Sequence, residues 1–184
     1  RGIFNFSVRS RRNIGFDRTF ARWQDASMSK FAEKIQKGEV PSEEDWNEHL
    51  IEAHKEAPSM TPAAFAEYKT KSDENSYQIL ASEYQNIADK NPTIVDLACG
   101  DGFFSKTLLE STGASPEIYA IDMSPGELEV LKTNLKSDKL TVLCEKAQNI
   151  SLEDESVSAV FCHMAFMLMV PAEPVVSEIS RILK

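Results

Sequence analysis

The spacing of apolar residues changes character near residue 92. Before it, apolar positions recur every three or four residues, the mark of helices with one buried face. Phe16, Phe20, Trp23, Met28, Phe31 and Ile35 keep this spacing, and Gly38 is a natural stop. Ser42 caps a second helix with Trp46, Leu50, Ile51 and His54 on one side, ended by Pro58. Thr61-Pro62 opens a third, short helix through Phe65 and Tyr68. A polar break over 70–75 precedes a fourth helix, Ser76 to Lys90, carrying Tyr77, Leu80, Ala81, Tyr84 and Ile87.

After Pro92 the pattern becomes short β-branched runs separated by helical stretches. Thr93 to Leu97, Glu117 to Ile121 (ending on Asp122), Leu140 to Cys144 and Val157 to Cys162 read as four strands. Phe103 to Leu109 takes helical spacing. Ser124-Pro125-Gly126-Glu127 reads as a capping box with Pro at the first helical position, ahead of Leu128, Leu131 and Leu135. A last helix runs from Glu173 to Lys184. The expected fold class is α/β, a parallel sheet behind an N-terminal helical extension.

Candidate chemistry concentrates in Ile94-Val95-Asp96-Leu97-Ala98-Cys99-Gly100-Asp101-Gly102-Phe103-Phe104-Ser105. A strand, a turn of small residues and a helix form the first half of a nucleotide-binding βαβ unit. Small residues let a ligand approach the backbone, and glycine reaches positive φ without steric cost. A dinucleotide fingerprint needs a third glycine where Ser105 stands. Asp96 before the turn would repel pyrophosphate. It suits a ligand with a cationic amine and no phosphate, which disfavours a nicotinamide dehydrogenase. S-adenosylmethionine, with an ammonium, a sulfonium and an adenosine, is such a ligand.

Asp96-Leu97-Ala98-Cys99-Gly100-Asp101-Gly102 resembles the first motif of the class I S-adenosylmethionine-dependent methyltransferases, with Ala98 in place of the first glycine. The resemblance runs from about Tyr77 to Lys184. It implies a Rossmann-like sheet with strands ordered 3-2-1-4 in the visible part of the family's 3-2-1-4-5-7-6. It also implies S-adenosyl-L-methionine as cofactor, held by Asp96, Ala98, Cys99, Gly100, Gly102, Asp122, Met123, Ala147, Gln148 and Cys162. Asp122 lies 26 residues after Asp96, which suits a contact to the ribose hydroxyls. Two departures stand out. Lys146 replaces an Asp that often contacts the adenine, so the backbone around Ala147 and the Gln148 side chain would hold that ring. Val157-Ser158 replaces the usual Phe-Asp. His163, directly after the fourth strand, is the candidate general base. Cys162-His163-Met164-Ala165 departs from the Asn/Asp-Pro-Pro-Tyr of DNA and glutamine N-methyltransferases, so that substrate class is disfavoured. Met164, Phe166, Met167, Leu168 and Met169 suggest an apolar wall and a small organic acceptor. In this division residues 1–75 form an arm and lid-like extension, and 76–184 the cofactor-binding core.

Composition narrows the classes. With 42% hydrophobic and 27% charged residues, the 184-residue chain has the balance of a water-soluble domain with a core of its own. A net charge of −9 argues against general nucleic-acid binding, and no apolar run reaches membrane-spanning length. Residues 1–23 hold six arginines against Asp17, a local +5 that leaves −14 on the rest. With Phe4, Phe6, Phe16, Phe20 and Trp23 this arm could meet RNA, a membrane surface or an import receptor; packing of its aromatics on its own domain is favoured. Cys99, Cys144 and Cys162 form no Cys-x-x-Cys pair, which points to a reduced, cytoplasmic setting and no structural metal. His49, His54 and His163 do not form a helical metal motif, and the first two look like surface residues.

Only four strands precede Lys184. The outer edge of the fourth strand is expected to lack a partner, which leaves a longer native chain, pairing with a second chain or cover by the N-terminal arm; the longer chain is favoured, and a dimer through that edge if Lys184 is the natural C-terminus. The rival to an enzyme is a catalytically inactive methyltransferase-like binding domain acting through its helical part.

Overall fold

The computed structural model describes residues 29–112 and 116–184. The helical run expected from Phe16 to Met28 lies outside them, as does the aromatic arm. Helix α1 (Lys30–Gln36) starts at Ser29, whose hydroxyl accepts the Ala32 N–H. Helix α2 (Glu43–Glu56) starts at Ser42 with a full capping box. The Ser42 hydroxyl accepts the Asp45 N–H at 3.2 Å and the Asp45 carboxylate accepts the Ser42 N–H at 2.7 Å. Helix α3 (Met60–Phe65) is short.

The fourth helix is shorter than expected. Helix α4 (Ser76–Ser82) gives way to a 3-10 turn over Glu83–Asn86. Asn91 precedes Pro92 and is biased to extended backbone, so the chain must leave the helix to enter the sheet. The tightened turn packs Tyr84 and Ile87 against the core.

Strands β1 (Thr93–Leu97), β2 (Glu117–Asp122), β3 (Leu140–Cys144) and β4 (Ala159–Phe161) form one parallel sheet, ordered β3-β2-β1-β4 as expected. Helices α5 (Phe103–Thr112), α6 (Pro125–Asn134) and α7 (Ala172–Ile182) complete the fold. Side chains alternate across the pleat. Ile94 and Ile118 face Tyr77, Ala81, Phe104 and Leu108 of α4 and α5. Val95, Leu97 and Ile121 face Val175 and Ile182 of α7. Covered on both faces, β1 reads as a nearly unbroken apolar run. Each such side chain contributes about 1.5–3 kcal/mol on burial.

The fourth strand does not start at Val157. Val157 pairs instead with Leu183, in parallel, and Lys184 N–H donates to Val157 O at 3.0 Å. The helix at the C-terminal end therefore stops at Ile182 rather than Lys184, and this backbone covers the start of the β4 edge expected to be bare. Next to it the Ser158 hydroxyl donates to Asp89 at 2.7 Å, and pairing with β1 begins at Ala159.

The capping box expected at Ser124 and Glu127 does not form. Ser124 is the N-cap of α6, but its side chain makes no cap hydrogen bond. Glu127 turns away to partly buried partners on the helical extension: His54 Nδ1 at 2.8 Å and the Ser59 N–H at 3.0 Å. Gly126 allows this approach, because a Cβ there would lie 3.3 Å from Lys55 Cα. His54 is accordingly no surface residue; its side chain is 23% exposed.

Candidate functional site

The carboxyl ends of β1 and β2 build one wall of a cavity. Ala98, Gly100 and Gly102 all have positive φ, at 55°, 54° and 80°. This alternation folds the turn back on itself and explains why each position is small. The Cys99 N–H donates to Ile121 O at 3.0 Å, tying the turn to β2. Asp122 accepts the Gly100 N–H at 2.9 Å and the Ser124 N–H at 2.8 Å, so its carboxylate staples both turns together. Asp96, only 2% exposed, accepts the Ser105 hydroxyl at 2.6 Å.

The two glycines differ in what they permit. A Cβ on Gly102 would lie 2.7 Å from Leu131 Cγ, so Gly102 serves the packing of the turn on α6. A Cβ on Gly100 would meet nothing closer than Glu127 at 4.0 Å, and Gly100 borders the cavity.

Five carboxylates line this cavity: Asp96, Asp101, Asp122, Glu127 and Glu145. Burial raises the Asp96 carboxyl to about 7 against the pull of Ser105, with Asp122 adding repulsion. Burial also lifts Asp101 and Asp122, and Glu127 repels both. His54 answers this charge: its hydrogen bond to Glu127 raises its pKa, and its charge stabilises ionised Asp122. Among the described residues the wall is short of positive charge.

The opposite wall comes from α2 and the loop after β4. Asn47, Leu50 and His54 share one face of α2 and border the cavity. Trp46 Nε1–H donates to Leu168 O at 2.8 Å, holding the start of α2 on the β4 side. His54 holds its end on the β2 side. The helix thus crosses the strand ends. His163 stacks on Tyr77 with ring centroids 3.9 Å apart, and its Nε2 pairs with the Ser76 hydroxyl at 2.9 Å. Burial lowers the His163 pKa, which keeps the ring neutral. Met164, Ala165, Leu168 and Met169 supply apolar surface.

Of the residues singled out in the sequence, Asp96, Ala98, Cys99, Gly100, Asp122, Met123, Ala147, Gln148 and His163 border this cavity. Gly102 and Cys162 do not. Cys162 packs beside Val95, Leu97 and Ile121 on the α7 face of the sheet, and burial pushes its thiol to about 11. Sequence reasoning missed Asn47, His54, Asp101, Glu127 and Glu145. The spacing of Asn47, Leu50 and His54 on one helical face was the available signal. Glu127 gave none, because its local pattern pointed to a cap.

Residues 95–184 match the family described as Methyltransferase domain. Over 92 residues the chain is 32% identical to malonyl-[acyl-carrier protein] O-methyltransferase of Methylococcus capsulatus, covering 50% of this chain and 33% of that protein. Over 124 residues it is 31% identical to an uncharacterised methyltransferase-like protein of Schizosaccharomyces pombe, covering 62% of this chain and 46% of that one. The chain thus spans less than half the length of either relative. A provisionally assigned S-adenosyl-L-methionine-dependent methyltransferase from Methanococcus maripaludis shares the fold at TM-score 0.54 and 24% identity, over 59% of this chain and 51% of that one. Among the described residues no helix is long and apolar enough to cross a membrane. The 3-2-1-4 sheet, the turn after β1 and the family match agree: residues 95–184 match the methyltransferase domain family and have the Rossmann-like α/β fold of methyltransferases.

Proposed function

We propose that this domain uses S-adenosyl-L-methionine to methylate a small, largely apolar acceptor. The observation that carries the reading is the wall of buried and half-buried carboxylates around the open backbone of Gly100. Burial first, and then repulsion from neighbouring carboxylates, raises the pKa values of Asp96, Asp101 and Asp122, so a cationic ligand would stabilise their ionised forms. The buried Ser124 hydroxyl beside them has no partner among the described residues. Such a wall fits a ligand with an ammonium group and sugar hydroxyls better than one with phosphates.

Asp122 is the residue for the ribose hydroxyls, and Asp96 is the acidic anchor below the turn. Ala98, Cys99 and Gly100 offer backbone to the ligand, Met123 and Ala147 offer flanking surface, and Gln148 offers a polar edge. When bound, the cofactor supplies a methyl group on a cationic sulfur. The chain supplies alignment and exclusion of water. Residues 29–75 act as a lid, with α2 lying across the strand ends. His163 is the base where the acceptor bears a proton. Its Nε2–H can donate to Ser76, leaving Nδ1 to take that proton.

Calorimetry with S-adenosylhomocysteine, set against NAD, tests this directly. The wild-type chain should bind the former and not the latter. Asp122→Ala should weaken binding by about 1–3 kcal/mol, the scale of hydrogen bonds to a charged group. Unchanged affinity in a folded Asp122→Ala variant would overturn the assignment.

A further inference from the structure

Three buried side-chain polar atoms among the described residues have no hydrogen-bond partner: Asn47 Nδ2, Ser124 Oγ and His163 Nδ1. All three belong to residues that border the cavity at the strand ends. Buried polar groups in native proteins are nearly always paired, and an orphan is costly enough to need a cause. Ser124 sits in the turn after β2, beside the Asp122 staple. Asn47 sits elsewhere. It comes from the helical extension and is 6% exposed.

The course of α2 locates Asn47. Trp46, its neighbour, is bonded to Leu168 in the loop after β4. His54, two turns on, is bonded to Glu127 after β2. Asn47 therefore lies at the β4 end of the cavity, the end that also carries His163, Leu168 and Met169, and away from the carboxylates of the turns. An amide N–H calls for an acceptor atom, and its neighbours on that side are mostly apolar. From this placement we infer that Asn47 is a specificity residue for the methyl acceptor, donating a hydrogen bond to an oxygen carried on an apolar body. Its place on α2 couples acceptor recognition to the lid. The inference rests on the methyltransferase reading for the acceptor's role, but the contact itself does not need the cofactor.

The test uses the whole chain and two probes of the same shape. Acetophenone carries a carbonyl oxygen on an aromatic ring, and α-methylstyrene replaces that oxygen with a methylene. Ligand-observed NMR titrations, run with and without S-adenosylhomocysteine, give their affinities. Wild type should prefer acetophenone by about fivefold, the value of one neutral hydrogen bond. Asn47→Leu should remove that preference, leave S-adenosylhomocysteine affinity unchanged and raise the melting temperature, because the orphan is gone. Asn47→Met, more adaptable in shape, gives the same reading if the Leu variant does not fold. No acetophenone binding by wild type, no discrimination between probes, or a preference that survives both substitutions overturns the inference. So does an equal loss of S-adenosylhomocysteine affinity in the variants, which would assign Asn47 to the cofactor. Failure of wild type to bind S-adenosylhomocysteine sinks the cofactor reading alone, since the probe comparison stands without it.

Discussion

The two walls of the cavity are built in different ways. The strand-end wall comes from a nearly continuous stretch. Asp96, the turn to Gly102, and Asp122 with Ser124 are joined by hydrogen bonds spanning 22 residues or fewer, such as Gly100 to Asp122. The helical wall is held by contacts across 122 residues between Trp46 and Leu168, and 73 between His54 and Glu127. Local chemistry fixes the first wall and tertiary packing places the second. The first carries the charge, and the second carries the apolar surface and the unpaired amide of Asn47. Cofactor and acceptor would thus be read by walls of independent origin.

The largest effect should come from breaking the strand-end wall at its packing point. Gly102→Ala places a Cβ 2.7 Å from Leu131 Cγ on backbone at φ 80°. Overpacking and left-handed strain together should cost about 2–5 kcal/mol. Gly100→Ala, with open space at its Cβ, should cost only the strain, about 1–2 kcal/mol. Urea unfolding of the two variants measures the gap. Equal losses would mean that both glycines serve only the turn.

The next effect is electrostatic and belongs to the same wall. Asp96 ionises at about 7 in the fold, against 3.8 as its ordinary value. The folded state then holds an extra proton between about pH 4 and 7. Stability of the ligand-free protein should fall as pH rises through that window and level off above it. In Asp96→Asn this part of the slope should vanish, which the difference between the two melting curves against pH isolates. His54 adds a second slope from the helical wall. Its folded pKa is raised, so its contribution is complete below about 6.5 and is lost as pH rises through the folded value. Glu127→Gln should remove that slope and leave the Asp96 slope in place. If one substitution removes both, the walls titrate as a single unit.

The same division explains what could be read from the chain. Strands β1, β2 and β3 were legible to within a residue because each is a short apolar run with turn residues at its ends. The turn after β1 was legible from Asp96, Ala98, Gly100 and Gly102. The role of Gly102 was not, since the neighbour that fills its Cβ position is Leu131, on another helix. Glu127 misled for the same reason. Its capping-box spacing from Ser124 is a local pattern, and distant His54 and Ser59 outcompete it with partly buried, charge-assisted bonds. Val157 looked like the start of a strand because its β-branched, apolar run is continuous. Its actual partner, Leu183, depends on where α7 ends.

The smallest predicted effect tests whether the helical wall moves by itself. Trp46→Phe keeps a ring against Phe31, whose centroid lies 5.0 Å from that of Trp46, and removes only the hydrogen bond to Leu168 O. The net loss should be about 1 kcal/mol. It should not be spread evenly. The start of α2 loses its tie to the β4 loop, while the bond between His54 and Glu127 still holds its end. Amide exchange should therefore speed up in the first turns of α2 and in residues 165–169. The amides of β1 and β2, sealed by Ile94, Leu97 and Ile121, should keep their protection. Equal loss of protection in β1 and β2 would show that the helical wall and the strand ends open together, and the independence of the two walls would fail.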